Sequence, residues 1–96
     1  MAKYKLTNEA KADLLRIHEY GWLTFGKKQA DKYLNELFDC FEFIADQPFA
    51  FESVEQIKTG YRRCVCGVDS IFYRVEKDGV EIITIVGRQE IDKIFK

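Results

Sequence analysis

A chain of 96 residues holds one domain and leaves no room for a second core. Its 15 basic and 16 acidic side chains nearly cancel, so no global field draws it onto nucleic acid or an anionic membrane. No stretch approaches the roughly 20 apolar residues of a membrane span, Met1-Ala2-Lys3-Tyr4-Lys5 has no apolar run behind it to make a signal peptide, and three cysteines argue against a secreted disulfide framework, so the expected setting is the cytoplasm.

Lys3-Tyr4-Lys5-Leu6 alternates polar and apolar residues, the period of a strand with one buried face. Thr7 and Asn8 are N-cap candidates, because a short side-chain oxygen satisfies a free helical N–H. From there Ala10, Leu14, Ile17 and Gly21 fall on one helical face, with Leu15, His18 and Trp22 beside it, and Gly26 supplies the C-cap. A second helix starts at Lys27 or Lys28. Ala30, Tyr33, Leu34, Leu37, Phe41, Ile44 and Ala45 form its apolar stripe, and Pro48 closes it. Two helices joined this closely fold back as an antiparallel hairpin.

Phe49 to Thr59 reads as a connecting loop. Tyr61–Cys66, Ser70–Val75 and Val80–Val86 read as strands rich in β-branched and aromatic residues, with turns at Gly67–Asp69 and Asp78-Gly79. Glu90–Phe95 is a last helical turn or a tail. The fold class is therefore α+β, ordered β-α-α-β-β-β, an antiparallel sheet with the N-terminal helix hairpin on one face. A single domain spans 1–96, with the hairpin at about 8–47, the sheet at about 60–87 and the tail at 88–96.

Cys64 and Cys66 make a C-x-C pair, but tetrahedral zinc wants four ligands and only Cys40 and His18 remain to complete the set. All three cysteines read as small apolar core residues, and no metal or cofactor site is expected. The 15% aromatic content, 8 Phe, 5 Tyr and 1 Trp, exceeds what so small a domain hides, and exposed apolar patches mark partners.

Asn8-Glu9-Ala10-Lys11-Ala12-Asp13-Leu14 with Ile17, Phe25-Gly26 with Ala30 and Tyr33, and Gly60-Tyr61-Arg62-Arg63 are three pieces of a pattern. Ser70-Ile71-Phe72-Tyr73-Arg74 and Ile83-Thr84-Ile85-Val86-Gly87-Arg88-Gln89-Glu90-Ile91 complete it. Together and in this order they resemble the ParE branch of the ParE/RelE toxin superfamily. The resemblance implies a toxin that poisons DNA gyrase and is held by a ParD-like or other small antitoxin wrapping the helix pair and sheet. The RelE branch implies instead a ribosome-dependent mRNA endoribonuclease. Against it, Val86 stands where that branch often carries His, and an isopropyl group can neither donate nor accept a proton. No catalytic residue is therefore assigned and the chain is read as a non-enzyme. An inactivated toxin that only binds antitoxin is a further alternative.

For the antitoxin the candidates are Trp22, Tyr33, Leu37 and Phe41 on the helices and Arg62, Arg63, Tyr73 and Arg74 on the sheet. The arginines, with Lys58, make the one basic concentration, which either meets an acidic partner or pairs with Glu55, Glu76 and Glu81. For the target the candidates lie in the tail: Arg88, Gln89, Glu90, Lys93 and Phe95.

Overall fold

A computed structural model describes residues 3–87. The order is β1 (Tyr4–Leu6), α1 (Asn8–Phe25), α2 (Lys27–Asp46), β2 (Glu52–Ser53), β3 (Tyr61–Cys66), β4 (Asp69–Glu76) and β5 (Gly79–Gly87). The five strands lie in the order β1-β5-β4-β3-β2. β3, β4 and β5 form the expected antiparallel meander, but β1 runs parallel to β5, so the sheet is mixed. β2 takes the β3 edge of the meander, and β1 joins the other edge, beside β5, in the parallel sense. The short β2 was not expected either. It pairs only Glu52 and Ser53 with Arg63 and Arg62, too few residues to leave a period in the sequence.

Thr7 ties the first strand to the first helix. Its N–H donates to the Ile82 carbonyl at 3.1 Å, continuing β1 along β5. Its hydroxyl donates to the Ile83 carbonyl at 2.6 Å and accepts from the Ala10 N–H at 3.0 Å, which makes it the N-cap of α1. Among the described residues no strand lies beside the outer edge of β5 past Leu6, and α1 takes over. The Asp13 carboxylate accepts from the Ile85 N–H at 3.0 Å and the Thr84 hydroxyl at 2.7 Å, and Arg16 donates to the Ile85 carbonyl at 3.3 Å. An exposed edge is thereby covered by side chains rather than by a sixth strand.

Gly26 alone connects the helices. With φ 93° it gives its N–H to the Trp22 carbonyl and its carbonyl to the Ala30 N–H, ending one helix and opening the next. The stripes foreseen from spacing face the sheet: Ala10, Leu14 and Ile17 of α1 with Leu37, Phe41 and Ile44 of α2 pack on Ile71, Tyr73, Ile82 and Ile85. On the opposite face the loop after β2 folds back, so that Val54 and Ile57 cover Phe72 and Val86.

Two local expectations are corrected. The β4–β5 turn is Lys77–Asp78 rather than Asp78-Gly79, because Gly79 already pairs with Glu76. Gly79 has φ 149°, and a Cβ there would collide with the Lys3 carbonyl. Its lack of a side chain serves the approach of β1, not the turn. The cysteines also divide differently. Cys64 is a buried thiol, but Cys40 on α2 and Cys66 on β3 form a disulfide with a Cα–Cα distance of 6.7 Å across 26 residues. Spacing along the chain does not reveal that a helix and a strand bring two thiols together.

Closing a loop of that length in the unfolded chain stabilises a fold by about 2–4 kcal/mol. Oxidised protein should therefore melt higher than the same protein in reductant, and Cys40→Ser should remove the difference. Equal melting temperatures in all three samples would show that the bond contributes nothing.

Candidate binding surface

The basic concentration on the sheet does not form one patch. Partners across the ladder share a face, and Arg62 pairs with Tyr73, on the helix side, while Arg63 pairs with Phe72 on the other. Arg62 donates to the Phe51 carbonyl at 2.8 Å and lies over the Phe49 ring at 5.0 Å. Arg63 meets Glu52 at 3.2 Å, and Arg74 meets Glu81 at 2.8 Å and Glu76 at 3.6 Å. The arginines are engaged by the protein's own acids and carbonyls, much as the pairing alternative foresaw, although Glu55 instead accepts from the Gly60 N–H.

The apolar surface is concentrated elsewhere. Tyr20, Trp22, Leu23 and Phe25 stand out of the last turns of α1, Leu23 being 81% exposed, and Val68 projects from the β3–β4 turn at 73%. Between them runs a groove of about 1100 Å³. Ile17, Gly21 and Ala30 form its floor, Tyr20 and Phe25 one wall, and the Gly67–Val68 turn the other. The floor is low because the helices cross on small residues: a Cβ at Gly21 would lie 3.4 Å from that of Ala30.

Tyr33 holds the second wall in place. Its hydroxyl lies 2.6 Å from a carboxylate oxygen of Asp69 and 2.9 Å from the Cys66 carbonyl, and it accepts from the Val68 N–H at 3.3 Å. Burial, then the neighbouring Asp69 carboxylate, pushes the phenol well above its ordinary range, so it stays a donor at any physiological pH. Gly67 lies under the ring with φ 60°, and a Cβ there would sit 2.6 Å from a ring carbon. Position 67 therefore requires glycine both for its backbone angle and for the space.

Among the candidate antitoxin contacts, Trp22 is on the exposed surface and Tyr33 lines the groove. Leu37, Phe41 and Tyr73 are each 0% exposed, so their expected contact with a partner is corrected: they are core. The Tyr73 ring is packed edge-on against Phe51, its hydroxyl donates to the Pro48 carbonyl at 2.7 Å, and burial pushes it up to about 12. Arg88, Gln89, Glu90, Lys93 and Phe95 lie outside the described residues. Tyr20, Leu23 and Val68 were missed. Their signal was present, since Tyr20 and Leu23 fall off the stripe of α1 and Val68 is a large apolar residue in a turn.

Chemically the surface is suited to binding. The lone histidine is occupied: His18 Nε2 lies 2.8 Å from Asp31, whose carboxyl is held below its usual range by hydrogen bonds from Lys27 first and then His18. Val86 is buried against Val54 and Phe72, and burial pushes the Cys64 thiol up to about 11, away from the reactive thiolate. Among the described residues no group of three or more His, Cys, Asp and Glu side chains could hold a metal, and no helix is long and apolar enough to cross a membrane.

A helix hairpin on a mixed sheet, with an apolar groove at the hairpin's tip, defines a small α+β domain. Residues 4–92 match the family described as the ParE toxin of the type II toxin–antitoxin system parDE, and the chain belongs to that family. It is 41% identical over 86 residues to Toxin ParE1 of Caulobacter vibrioides, covering 90% of this chain and 88% of that one. Its fold is similar to that of the chromosomal ParDE toxin–antitoxin system from P. aeruginosa, with a TM-score of 0.79 at 22% identity, covering 91% of this chain and 96% of that one. The toxin–antitoxin complex RelBE2 from Mycobacterium tuberculosis gives a TM-score of 0.67 at 16% identity, covering 91% and 98%.

Removing the Tyr33 hydroxyl should loosen the groove wall. Tyr33→Phe strips Asp69, itself only 6% exposed, of its donor, which costs about 1–3 kcal/mol in chemical denaturation. Gly67→Ala should cost at least as much, from backbone strain of about 1–3 kcal/mol plus the clash. Unchanged denaturation midpoints in both variants would mean that the turn is held by something other than this contact.

Proposed function

We propose that this chain is a toxin whose small antitoxin, ParD-like or of another family, covers the tip of the helix hairpin and the groove beneath it. The exposed tip carries this reading. Tyr20, Trp22, Leu23, Phe25 and Val68 form an apolar surface that the domain's own core leaves open, and a surface of that kind calls for a protein partner. Membership of the family and the fold shared with ParDE and RelBE2 assemblies support an antitoxin as that partner.

The freed toxin, in this reading, acts in the bacterial cytoplasm by binding DNA gyrase rather than by catalysing a reaction. Its target contacts are the residues beyond the last strand, with Arg88, Gln89, Glu90, Lys93 and Phe95 as the candidates. Support for the non-enzymatic part comes from the chemistry of the described residues. Cleavage at a ribose 2′-hydroxyl needs a base and an acid converging on one phosphate. His18 is paired with Asp31 on the helices, the Tyr73 hydroxyl is held by Pro48, and Val86 has no proton to move.

Two measurements test the two halves. Phe25→Ser combined with Val68→Ser, both at exposed positions, should leave the melting temperature within a few degrees while weakening antitoxin binding by at least tenfold. Undiminished affinity would place the antitoxin elsewhere. Purified toxin added to gyrase and supercoiled DNA should accumulate cleaved DNA, while translation in a cell-free extract continues. Translation arrest with cuts in ribosome-bound mRNA would replace the gyrase reading by the endoribonuclease one, and inactivity in both assays would identify a toxin retained only for antitoxin binding.

A further inference from the structure

The second wall of the groove is fastened to α2 at two points. Tyr33 holds it through Cys66, Val68 and Asp69, and Cys40 holds it through the disulfide to Cys66. Tyr33 and Cys40 are spaced i, i+7, about two helical turns, so both face the same strand. Cys66 is the last residue of β3, and Gly67 and Val68 follow it directly. We propose that the Cys40–Cys66 bond is a thiol–disulfide switch on this wall. Closed, it holds the Gly67–Val68 turn against α2; open, it leaves the turn to Tyr33 and lowers the affinity of the groove for its partner. The affinity clause rests on the reading of the groove as the antitoxin site.

Three observations point to exchange rather than to a permanent brace. The first is access. Cys66 is buried, but Cys40 is only partly covered on its helix, and accessible disulfides are the ones that thiols exchange. The second is the fate of the sulfur released. Cys66 Sγ lies 3.7 Å from the Glu36 carbonyl, an acceptor for the thiol once the bond is open. The third is the remaining cysteine. Cys64 stands two residues before Cys66 on the same face of β3, yet burial pushes its thiol up to about 11, and the thiolate is the attacking form. The bond therefore has two states, without a third in which Cys64 has taken a partner.

The reductant is a small thiol of the glutathione class. Its thiolate attacks Cys40 Sγ, the Cys40–Cys66 bond breaks, and Cys66 leaves as a thiolate that takes up a proton. A second thiolate attacks the small-molecule sulfur of the mixed disulfide, which releases Cys40 as a thiol and one molecule of glutathione disulfide. The protein gains two electrons and two protons, and the reverse sequence closes the bond. In the cytoplasm read for this toxin, the thiol pool thus sets how firmly the groove's wall is held.

The experiment uses the full chain, made by cell-free synthesis and equilibrated with glutathione mixtures from fully reduced to fully oxidised. After acid quench and denaturation, alkylation should count one free thiol in the closed state, Cys64, and all three cysteines in the open one. A bond that stays closed, or stays open, in every mixture would overturn the switch. Between the two states the Val68 amide should exchange its hydrogen at least tenfold faster when the bond is open, while Ile71 and Ile82 keep their protection as proof of folding. Antitoxin should bind the open form at least fivefold more weakly, and Cys40→Ser should match the open form with or without reductant. Equal Val68 exchange in the two states would overturn the proposal. So would equal affinity for an antitoxin that Phe25→Ser with Val68→Ser does weaken. An antitoxin indifferent to that double substitution as well would remove the antitoxin reading and the affinity clause with it, and the switch in the wall would be decided by the thiol count and the Val68 exchange.

Discussion

Gly26 is the constraint from which the surface of this protein follows. One residue with φ 93° turns α1 into α2, so the helices leave the turn already in contact and cross on Gly21 and Ala30. Each helix can then offer the sheet only one stripe. Ala10, Leu14 and Ile17 with Leu37, Phe41 and Ile44 use those stripes completely. Aromatic residues at other positions near the turn have nowhere inside to go. Tyr20, Trp22 and Phe25 are exposed at the tip because the hairpin is too tight and the sheet too small to cover a second face.

The rest of the molecule sharpens that tip into a groove. β3 and β4 bring their turn up to α2, and the Tyr33 hydroxyl fastens it there through Asp69 and Val68. The Cys40–Cys66 bond joins the same helix to the same strand one residue before the turn. At the far edge, Thr7 and Asp13 attach the start of the chain to β5, so the groove's floor and walls belong to one continuous frame. On the sheet, Arg62, Arg63 and Arg74 are engaged within the chain. The Arg63–Glu52 and Arg74–Glu81 pairs are surface ion pairs, worth about 0–1 kcal/mol each.

Much of this architecture was legible in the residues. The stripes of both helices, the caps at Thr7 and Gly26 and the three meander strands follow from local periodicity and local hydrogen bonding. What escaped was non-local. The parallel pairing of β1 with β5 joins residues 76 apart at Thr7 and Ile83, and nothing in Lys3-Tyr4-Lys5-Leu6 names its neighbour. The Cys40–Cys66 bond and the role of Gly79 depend on contacts of the same kind. The site was half legible. Aromatic excess foretold an exposed patch and Trp22 lies on it, but Leu37 and Phe41 stand at the centre of their stripe, which is why they are buried. Tyr73 shares its face with Ile71, so strand alternation already pointed it inward. The basic cluster dissolved because adjacent residues Arg62 and Arg63 must lie on opposite faces of a strand.

The central claim is that the hairpin tip, not the sheet, is where the protein's partner sits. Side-chain footprinting with a small carbene reagent, on the chain alone and in complex with a ParD-like antitoxin that binds it, tests that claim most directly. The account predicts that Trp22, Leu23, Phe25 and Val68 are labelled in the free chain and lose at least most of that labelling in the complex, while Phe49 and Val65, exposed elsewhere, keep theirs. Protection of Phe49 and Val65 with continued labelling of Trp22 and Leu23 would contradict it.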